Sequence, residues 1–297
     1  MKFLIFRTDR VGDFLLSLSL IKIIKNNYPD SEITIVASPR NCEYIKTFSV
    51  VDRLIILKNN LLSKIKIILA LRKIKFDSVI VHDAKNRSKF ISYFLQSKKK
   101  INVKPNIYDT QMDIIKIICN SLSLKYDLSC LNFLDNRKHV NINLPFRKYI
   151  HLHFDEKWIH DKYIKKYLNI EPNENEFISF LNSIINKDKN IVITTGINSS
   201  NILQRIKNRI NHNQVKIFEN QSLMEIEKIV FNCEILISCH GWISHIASAK
   251  QIKQIDIIDD QYAYDKWTSH FRNYNFLNRA SFNVLSQKIL QLIQISR

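Results

Sequence analysis

The sequence predicts an α/β protein made of two Rossmann-like domains, and three observations lead to this prediction. Short apolar runs of four to six residues, hydrophobic on both faces, alternate with helical patterns, which is typical of parallel sheets covered by helices. The second half of the chain repeats the pattern of the first. The length of 297 residues, with 45% apolar residues, suits two ordinary domains. Two domains facing a central cleft, residues 1–146 and 147–297, are the simplest architecture.

The elements of the first half follow from these runs. Strands are predicted at residues 3–6, 32–36, 53–57 and 78–81, and helices at residues 13–26, 42–48, 61–74, 87–95 and 110–122. A polar linker at residues 134–140 leads to Pro145, where turn residues interrupt the pattern.

The second half gives five more strands and a final helix. Strands are predicted at residues 149–153, 190–194, 215–218, 234–238 and 254–258. Ser222 and Glu225 have the spacing of a capping box, so a helix should begin there. The last helix, predicted at residues 282–295, could cross back onto the first domain.

Charge and cysteine content narrow the class of protein. The net charge of +18 favours an anionic partner such as nucleic acid, anionic lipid or a phosphorylated glycan, although a compositional bias towards Lys, Ile and Asn explains part of it. Five scattered cysteines without a CxxC pair make a disulfide framework improbable, and a reducing cytoplasm fits them. No apolar stretch reaches the roughly 18 residues of a membrane span.

Glycine is rare, so its positions are informative. Gly12, Gly196 and Gly241 are the only glycines, and each follows the carboxyl end of a predicted strand. We expect glycine to be kept where the backbone has a positive φ or lies close to a ligand. Strand-to-helix turns often need glycine in any case, but ligands of open α/β sheets bind at this edge. Three of three there favour a ligand cleft.

The stretch FRTDRVGDFLLSLSL at residues 6–20 places charged residues between two buried segments. Asp13 follows Gly12 at a helix start, where an acidic residue stabilises the helix dipole. The functional interpretation is a general base, with Arg7 and Arg10 beside it to bind anionic groups. The sequence contains neither GxGxxG nor GxxxxGK[ST], so the phosphate fingerprints of dinucleotide-binding and P-loop proteins are lacking.

Three segments together resemble the ADP-heptose:lipopolysaccharide heptosyltransferase family, glycosyltransferase family 9. They are MKFLIFRTDRVGDFLL at the start, with YP and ITIVASPRN after it, YIHLHFDEKW at residues 149–158, and CEILISCHGWISHIA at residues 233–247. VDRLIIL at residues 51–57 continues the match. The resemblance covers most of the chain and is weakest over residues 97–145.

The resemblance implies the GT-B fold, with the acceptor in the N-terminal domain and a nucleotide sugar in the C-terminal one. It implies an inverting transfer that needs no metal or cofactor, from a donor that would be ADP-linked. Asp13 would deprotonate the acceptor hydroxyl, and Lys157 would contact the donor phosphates. Thr195 and Gly196 would line the nucleotide pocket.

The late motif departs from the family pattern of Asp-Thr/Ser-Gly-x-x-His. Here His240 stands where the family aspartate contacts the donor sugar, and Gly241 is displaced by one position. Trp242 adds a large ring that could stack on sugar or base. The turn from Gly241 to His245, including Ser244, would present helix N–H groups and a histidine to the diphosphate or sugar, and the donor need not be ADP-heptose.

Several other residues have competing interpretations. Cys239, His240 and His245 lack the spacing of a four-ligand metal site. His151 and His153 point to one face of a strand and are cleft residues or capped polar positions. The pair at residues 82–83 is a turn or part of the acceptor side, and the three lysines at residues 98–100 are a solvated turn or a contact with anionic lipid.

The leading functional hypothesis is a cytoplasmic glycosyltransferase that acts on a lipopolysaccharide-core or other surface-glycan acceptor. Its basic surface would work at the anionic inner face of the cell membrane, as a peripheral contact. Its partners would be a nucleotide sugar and an anionic glycolipid, and nucleic acid is not expected. One alternative is a non-catalytic GT-B relative that binds a nucleotide sugar or glycan. The other, motivated by charge alone, is a nucleic-acid-binding protein, for which the sequence shows no aromatic–basic cluster.

Overall fold

The computed structural model describes residues 1–106, 109–127, 134, 142–159, 167–196, 201–210, 213–259 and 264–294. The chain divides into two compact units. The first comprises Met1–Lys138 with Asp265–His270, and the second comprises His139–Tyr264 with Phe271–Arg297. Apart from Leu134, the predicted linker lies outside the described residues, and the boundary at residue 146 stays a prediction.

The first unit contains a five-stranded parallel sheet in the order β3-β2-β1-β4-β5. Its strands are β1 (Lys2–Arg7), β2 (Glu32–Ala37), β3 (Arg53–Ile56), β4 (Lys75–Val81) and β5 (Gln96–Asn102). Its helices are α1 (Val11–Asn27), α2 (Cys42–Ile45), α3 (Leu61–Leu71), α4 (Asn86–Tyr93) and α5 (Gln111–Leu122). All nine predicted elements of this half exist, with ends that shift by up to three residues.

The second unit contains a six-stranded parallel sheet in the order β11-β10-β9-β6-β7-β8. Its strands are β6 (Ile150–Phe154), β7 (Ile191–Thr195), β8 (Val215–Phe218), β9 (Ile235–Cys239), β10 (Lys253–Ile258) and β11 (Tyr274–Asn278). The helices are α6 (Glu174–Ile185), α7 (Asn201–Ile206), α8 (Leu223–Asn232), α9 (Trp242–Ala249), α10 (Asp265–Thr268), which belongs to the first unit, and α11 (Phe282–Gln294). A short 3₁₀ turn spans Lys207–Arg209.

Local signals explain where several helices begin. The predicted capping box at α8 is confirmed, because Ser222 Oγ accepts from Glu225 N–H at 3.3 Å and Glu225 Oε2 accepts from Ser222 N–H at 2.8 Å. Asn173 and Glu176 form the same reciprocal pair at α6. Each pair satisfies two N–H groups that a helix start would leave unpaired.

The prediction of a turn at residues 98–100 is wrong. These lysines lie in β5, which pairs with β4 and forms an edge of the first sheet. Lysine is a poor strand former, so the sequence pattern hid this strand. Charged side chains on an edge strand oppose pairing with another chain, which gives the lysines a structural role.

Each unit buries its own hydrophobic core, which confirms the predicted α/β class with two Rossmann-like domains. One face of the first sheet packs Phe6 and Val79 against Ile67 of α3 and Ile91 of α4. In the second unit α11 contributes a row of buried side chains to the core of the second sheet, namely Phe282, Leu285, Ile289 and Ile293. The apolar face of the last helix therefore packs within the second unit. No described helix is long and apolar enough to cross a membrane.

Candidate functional site

Each sheet has one switch point, where the connections that follow two neighbouring strands lead to opposite sides of the sheet. In the first sheet it lies between β1 and β4, and in the second between β6 and β9. Ligands of open α/β sheets bind beside the carboxyl ends of such strand pairs. Both places carry a cluster of polar side chains, and together the two clusters contain every predicted site residue.

Asp83, which follows β4, organises the first cluster. Its buried carboxylate accepts from Thr8 Oγ1 at 2.6 Å, Ser88 Oγ at 2.7 Å and the Lys85 N–H at 3.1 Å. Arg87 adds donors to the Thr8 carbonyl at 3.0 Å and to Thr8 Oγ1 at 2.8 Å. The segment after β4 is thus a buried hydrogen-bonded network that fixes the loop after β1, rather than an ordinary turn.

Arg7 is the last residue of β1, and its side chain is only 4% exposed. Its Nε donates to the Asp13 carbonyl at 2.8 Å, and Nη1 donates to the His82 carbonyl at 3.0 Å. Nη1 also lies 3.5 Å from Asp9 Oδ2. Nη2 is buried and has no hydrogen-bond partner among the described residues. Most of this guanidinium therefore holds the β1–α1 turn together, which leaves Nη2 for the predicted anion binding.

Asp13 lies in the first turn of α1, half-buried, and Gly12 precedes it in the same turn. Asp13 Oδ2 accepts from the Arg10 N–H at 3.1 Å, so the residue acts in part as a helix cap. Oδ1 makes no hydrogen bond within the described residues. The Arg10 side chain is exposed. The structure thus brings Arg10, Gly12 and Asp13 together on the outer side of Arg7.

His82 lies beneath this turn and is buried. Its Nδ1 is 3.0 Å from Ser17 Oγ, and its Nε2 is buried with no partner in the part of the chain that the structure describes. Burial, reinforced by the positive charge of Arg7, lowers the pKa of His82 well below the ordinary value of 6.5. The imidazole is therefore neutral at physiological pH.

Lys157 is the centre of the second cluster. It follows β6 and is buried, with Nζ 3.2 Å from Asp155 Oδ2. A side chain placed on Gly241 would overlap Lys157 Nζ. The ammonium group therefore lies against the start of α9, and the absence of a side chain at Gly241 leaves room for it. This combination places a positive charge beside a helix N-terminus, where anions bind.

Gly196 has a similar role at the end of β7. A side chain there would overlap the Glu156 carboxylate. Glu156 Oε2 and Thr195 Oγ1 are both buried, and neither has a hydrogen-bond partner within the described residues. Glu156 therefore lies beside the predicted pair Thr195 and Gly196, whose place in a nucleotide pocket stays a prediction. The expectation of a positive φ is wrong, because no glycine of the chain has one, and the alternative of a nearby ligand stays a prediction. What the structure shows at Gly196 and Gly241 is close approach of protein side chains.

His151 and His153 share one hydroxyl group. Thr194 Oγ1 lies 2.7 Å from His151 Nε2 and 2.8 Å from His153 Nδ1. His153 Nε2 is 3.7 Å from Asp155 Oδ2. Burial lowers the pKa of His153 to about 4 and that of His151 well below 6.5. Two neutral, buried histidines therefore lie behind the Asp155–Lys157 pair.

His240, after β9, is held by a buried carboxylate. Its Nδ1 lies 2.6 Å from Asp256 Oδ2, and Asp256 in β10 is 0% exposed. Asp256 Oδ1 accepts from Ser244 Oγ at 2.8 Å, and Ser244 Oγ accepts from the Gly241 N–H at 3.2 Å. Tyr274 OH adds a bond to Oδ2 at 3.3 Å. Because Nδ1 bonds this carboxylate, Nε2 is the ring nitrogen left for other contacts.

Aromatic rings surround His240. Tyr264 lies 4.9 Å away between ring centroids, His245 lies 5.7 Å away, and Phe271 contacts both histidines. Trp242, the first residue of α9, is half-buried. The predicted residues of the late motif therefore lie together, and His240 is the one that Asp256 orients.

The Cys239 thiol is poorly suited to metal binding. Burial raises the pKa of its thiol, so the metal-binding thiolate is disfavoured. Among the described residues no group of three His, Cys, Asp or Glu side chains could hold a metal ion.

Sequence reasoning missed three carboxylates of the second cluster, Asp155, Glu156 and Asp256. A signal existed for Asp256, because it interrupts the apolar run IDII in the middle of a strand. A buried charge in such a position needs several partners. Asp155 and Glu156 follow a strand end directly, as polar site residues of parallel sheets do.

No protein-family model matches the chain, and no curated protein matches it. Among solved structures, the chain is similar to Escherichia coli heptosyltransferase WaaC with ADP, at 13% identity and a TM-score of 0.74, covering 100% of both chains. E. coli ADP-heptose lps heptosyltransferase II gives 12% identity and a TM-score of 0.69 over 100% of this chain and 98% of that one. A glycosyl transferase family 9 structure from Veillonella parvula gives 11% and 0.70, covering 98% and 90%.

These identities establish the fold and no more. The likeness extends over both units, which confirms the predicted GT-B fold class. The solved structures also carry the name of the family that the three sequence segments resemble.

Proposed function

We propose that this protein is a glycosyltransferase of the heptosyltransferase type, which moves a sugar from a nucleotide sugar to a hydroxyl group of a surface-glycan acceptor. The observation that carries the proposal is the position of Lys157 Nζ against Gly241 at the start of α9. A nucleotide sugar leaves as a nucleoside diphosphate, and its departure needs stabilisation of the charge that develops. A buried ammonium beside helix N–H groups provides such stabilisation without a metal.

On the donor side, each group of the second cluster has a distinct part. Lys157 interacts with the diphosphate, and Asp155 holds the ammonium in place at 3.2 Å. Glu156 and Thr195 offer a buried acceptor and a buried hydroxyl that suit hydroxyl groups of the nucleoside. His240 Nε2 accepts a hydrogen bond from a hydroxyl of the sugar, because Asp256 binds the opposite nitrogen.

On the acceptor side, Asp13 is the general base. Its Oδ2 is fixed by the Arg10 N–H at 3.1 Å, and Oδ1 remains available for the proton of the attacking hydroxyl. Inversion follows from direct attack on the sugar carbon as the diphosphate leaves. Arg10 is exposed and binds anionic groups of the acceptor. A positioned base of this kind accelerates a reaction by about 10²–10⁴.

We also propose the chemical classes of the donor and the acceptor. The similar structure of E. coli heptosyltransferase WaaC is one with ADP, and we propose an ADP-linked heptose or related sugar as donor. The high basic charge fits an anionic glycolipid such as a lipopolysaccharide core. Action at the inner face of the cell membrane would bring the protein to such an acceptor.

A thermal-shift panel with ADP, UDP, GDP, CMP and a short single-stranded oligonucleotide tests the donor side. A ligand at about 100 times its dissociation constant adds roughly 2.7 kcal/mol to the free energy of unfolding. Stabilisation by ADP alone supports the donor proposed here. Stabilisation by UDP, GDP or CMP instead retains a nucleotide-sugar enzyme with another donor.

The same panel, together with an assay of sugar transfer, separates the alternative functions. A response to the oligonucleotide alone would replace the proposal with nucleic-acid binding. Nucleotide binding without any transfer to glycan acceptors would indicate a non-catalytic relative. Absence of a response to every nucleotide would contradict the proposed function.

A further inference from the structure

We propose that the outer face of α3 and α4 is a docking surface for an anionic lipid bilayer. This α3/α4 face consists of seven exposed apolar side chains: Leu61, Leu62, Ile65, Leu69, Phe90, Tyr93 and Phe94. They make up half of the fourteen large apolar side chains that are exposed on the described part of the chain. Large contiguous exposed apolar surfaces mark interaction sites.

Helix α3 is apolar on two opposite sides. Ile67 and Leu71 point into the core of the first unit. Leu61, Leu62, Ile65 and Leu69 lie on one side of the helix, because residues three or four positions apart share a side. They form a second stripe, away from that core. Leu62 is 69% exposed and Leu61 is 64% exposed. One buried stripe is enough to hold the helix on the sheet, so the outer stripe calls for another explanation.

Helix α4 extends the apolar surface with aromatic rings. Ile91 and Leu95 of this region enter the same core as Ile67, so α3 and α4 cover the same face of the first sheet. On the outer side Tyr93 is 77% exposed, and Phe94 packs edge-on against it at 5.4 Å between ring centroids. Tyrosine is enriched at the boundary between lipid tails and headgroups, and phenylalanine and leucine are typical of the apolar face of interfacial helices.

The two segments that carry this face contain charged residues of one sign only. Residues 53–76 and 84–106, which include both helices, contain fourteen lysines and arginines and no aspartate or glutamate. The side chains of Lys64, Lys66, Lys73 and Lys89 form no ion pair or hydrogen bond with the described residues. Each basic residue near an anionic membrane surface strengthens binding by roughly fivefold. The exposed leucines therefore suit the hydrocarbon region of an anionic bilayer, and the lysines beside them suit its charged headgroups.

Other occupants fit less well. A second copy that used the same face would bring two surfaces without acidic residues together, and their charges would repel. Single-stranded nucleic acid stacks on aromatic rings, but it offers nothing to the four aliphatic side chains of α3. A bilayer accepts the aliphatic side chains and the aromatic rings and also attracts the lysines.

This inference does not depend on the reaction proposed above, because none of its residues belongs to the two polar clusters. If the surface binds membranes while nucleotides fail to bind, the proposed function is wrong and the docking surface stands. If nucleotides bind while membranes do not, the docking surface is wrong and the proposed function stands.

Vesicle flotation tests the docking surface directly. The full-length protein is mixed with vesicles of phosphatidylcholine alone or of phosphatidylglycerol and phosphatidylcholine, at low and high salt. We expect binding to the phosphatidylglycerol vesicles that weakens as salt rises. The double variant Leu62→Ser/Leu69→Ser should bind at least about tenfold more weakly.

The matched control is Leu168→Ser/Val284→Ser, which removes two exposed apolar side chains of the second unit and should bind like the unaltered protein. Both variants change exposed side chains, so their melting temperatures should stay close to that of the unaltered protein, and light scattering should show the same mass. Three results would overturn the proposal. They are failure of the unaltered protein to bind anionic vesicles, undiminished binding by the α3 variant, and loss of a dimer in that variant.

Discussion

The cluster after β1 and β4 and the cluster after β6 and β9 occupy equivalent places in their sheets, but they use their polar groups differently. In the first, Arg7 bonds two backbone carbonyls and Asp83 accepts from four side-chain or backbone donors. In the second, Glu156 Oε2 and Thr195 Oγ1 are buried without partners among the described residues, and Asp256 holds one side of His240.

This difference indicates a division of labour. The first cluster uses most of its charge to fix the β1–α1 turn, and it presents one carboxylate, Asp13, although Arg7 Nη2 and His82 Nε2 also find no partner among the described residues. The second cluster leaves a carboxylate oxygen and a hydroxyl group without partners there, and both suit a polar ligand with hydroxyl groups. A buried polar atom without a partner costs about 1–3 kcal/mol, which binding of a ligand would recover. The following predictions test this contrast.

The largest expected effect is on the reaction rate in Asp13→Asn. The asparagine side-chain oxygen can still accept from the Arg10 N–H, so the helix cap and the melting temperature should be retained. Loss of the base should lower kcat by about 10²–10⁴, with nucleotide affinity unchanged. Steady-state kinetics and calorimetry measure both quantities. Full activity in this variant would reduce Asp13 to a capping residue.

The buried histidines of the second cluster predict a dependence of stability on pH. The unfolded chain titrates His153 near 6.5, whereas burial lowers the folded pKa to about 4. Between these values the unfolded chain binds a proton that the folded chain does not, so the free energy of unfolding falls as pH drops from 6.5 to 4. The loss is about 3 kcal/mol for His153, and His151 adds to it in the same direction.

Denaturant unfolding at a series of pH values measures this loss. The matched variant is His153→Asn, whose amide can still bond Thr194. Its stability should fall less steeply over the same range than that of the unaltered protein. An identical slope in both proteins would show that His153 is protonated in the folded state.

Variants of Arg7 and Arg10 should have different effects, the first on the stability of the protein and the second on binding of the acceptor. Arg7→Met leaves two backbone carbonyls near the turn without their donors, so we expect unfolding to become easier by about 2–3 kcal/mol. Arg10→Met changes an exposed side chain and should shift stability by less than about 0.5 kcal/mol, while it raises KM for an anionic acceptor. Thermal denaturation and acceptor titrations distinguish the two. Equal destabilisation would refute the assignment of the internal role to Arg7.

A smaller effect is expected at His240. Asparagine at this position places its amide near Nδ1 and keeps the bond to Asp256, whereas glutamine places its amide near Nε2. His240→Asn should weaken binding of a nucleotide sugar by about tenfold, the cost of roughly one hydrogen bond. Binding of the free nucleotide should not change, and His240→Gln should retain part of the sugar affinity. If both variants bind the nucleotide sugar as the unaltered protein does, His240 has only a structural role.

The sequence predicted the helices and strands better than the contacts that make a site. Gly196, Gly241 and the late motif lie at strand ends as expected, and Gly12 and Asp13 lie in the first turn of the helix after β1, because apolar runs and strand-to-helix turns are local features. The edge strand β5 was missed because its lysines mimic a turn, and β11, α6, α7 and α10 were not predicted. Asp256 was missed because its role depends on His240 and Ser244, which only the pairing of β9 with β10 brings near.

The most direct test of the central claim is calorimetric binding of the nucleoside diphosphate that stabilises the protein best. Lys157→Met should bind it on the order of 10–100-fold more weakly, because a charge-assisted contact is lost. Asp155→Asn/Lys157→Met, which also removes the carboxylate that pairs with Lys157, should show the same loss. Lys189→Met removes a lysine that pairs with Glu234 at 2.9 Å at the opposite end of the second sheet, and it should bind normally. Undiminished binding by Lys157→Met, or an equal loss in Lys189→Met, would contradict a diphosphate site at the start of α9.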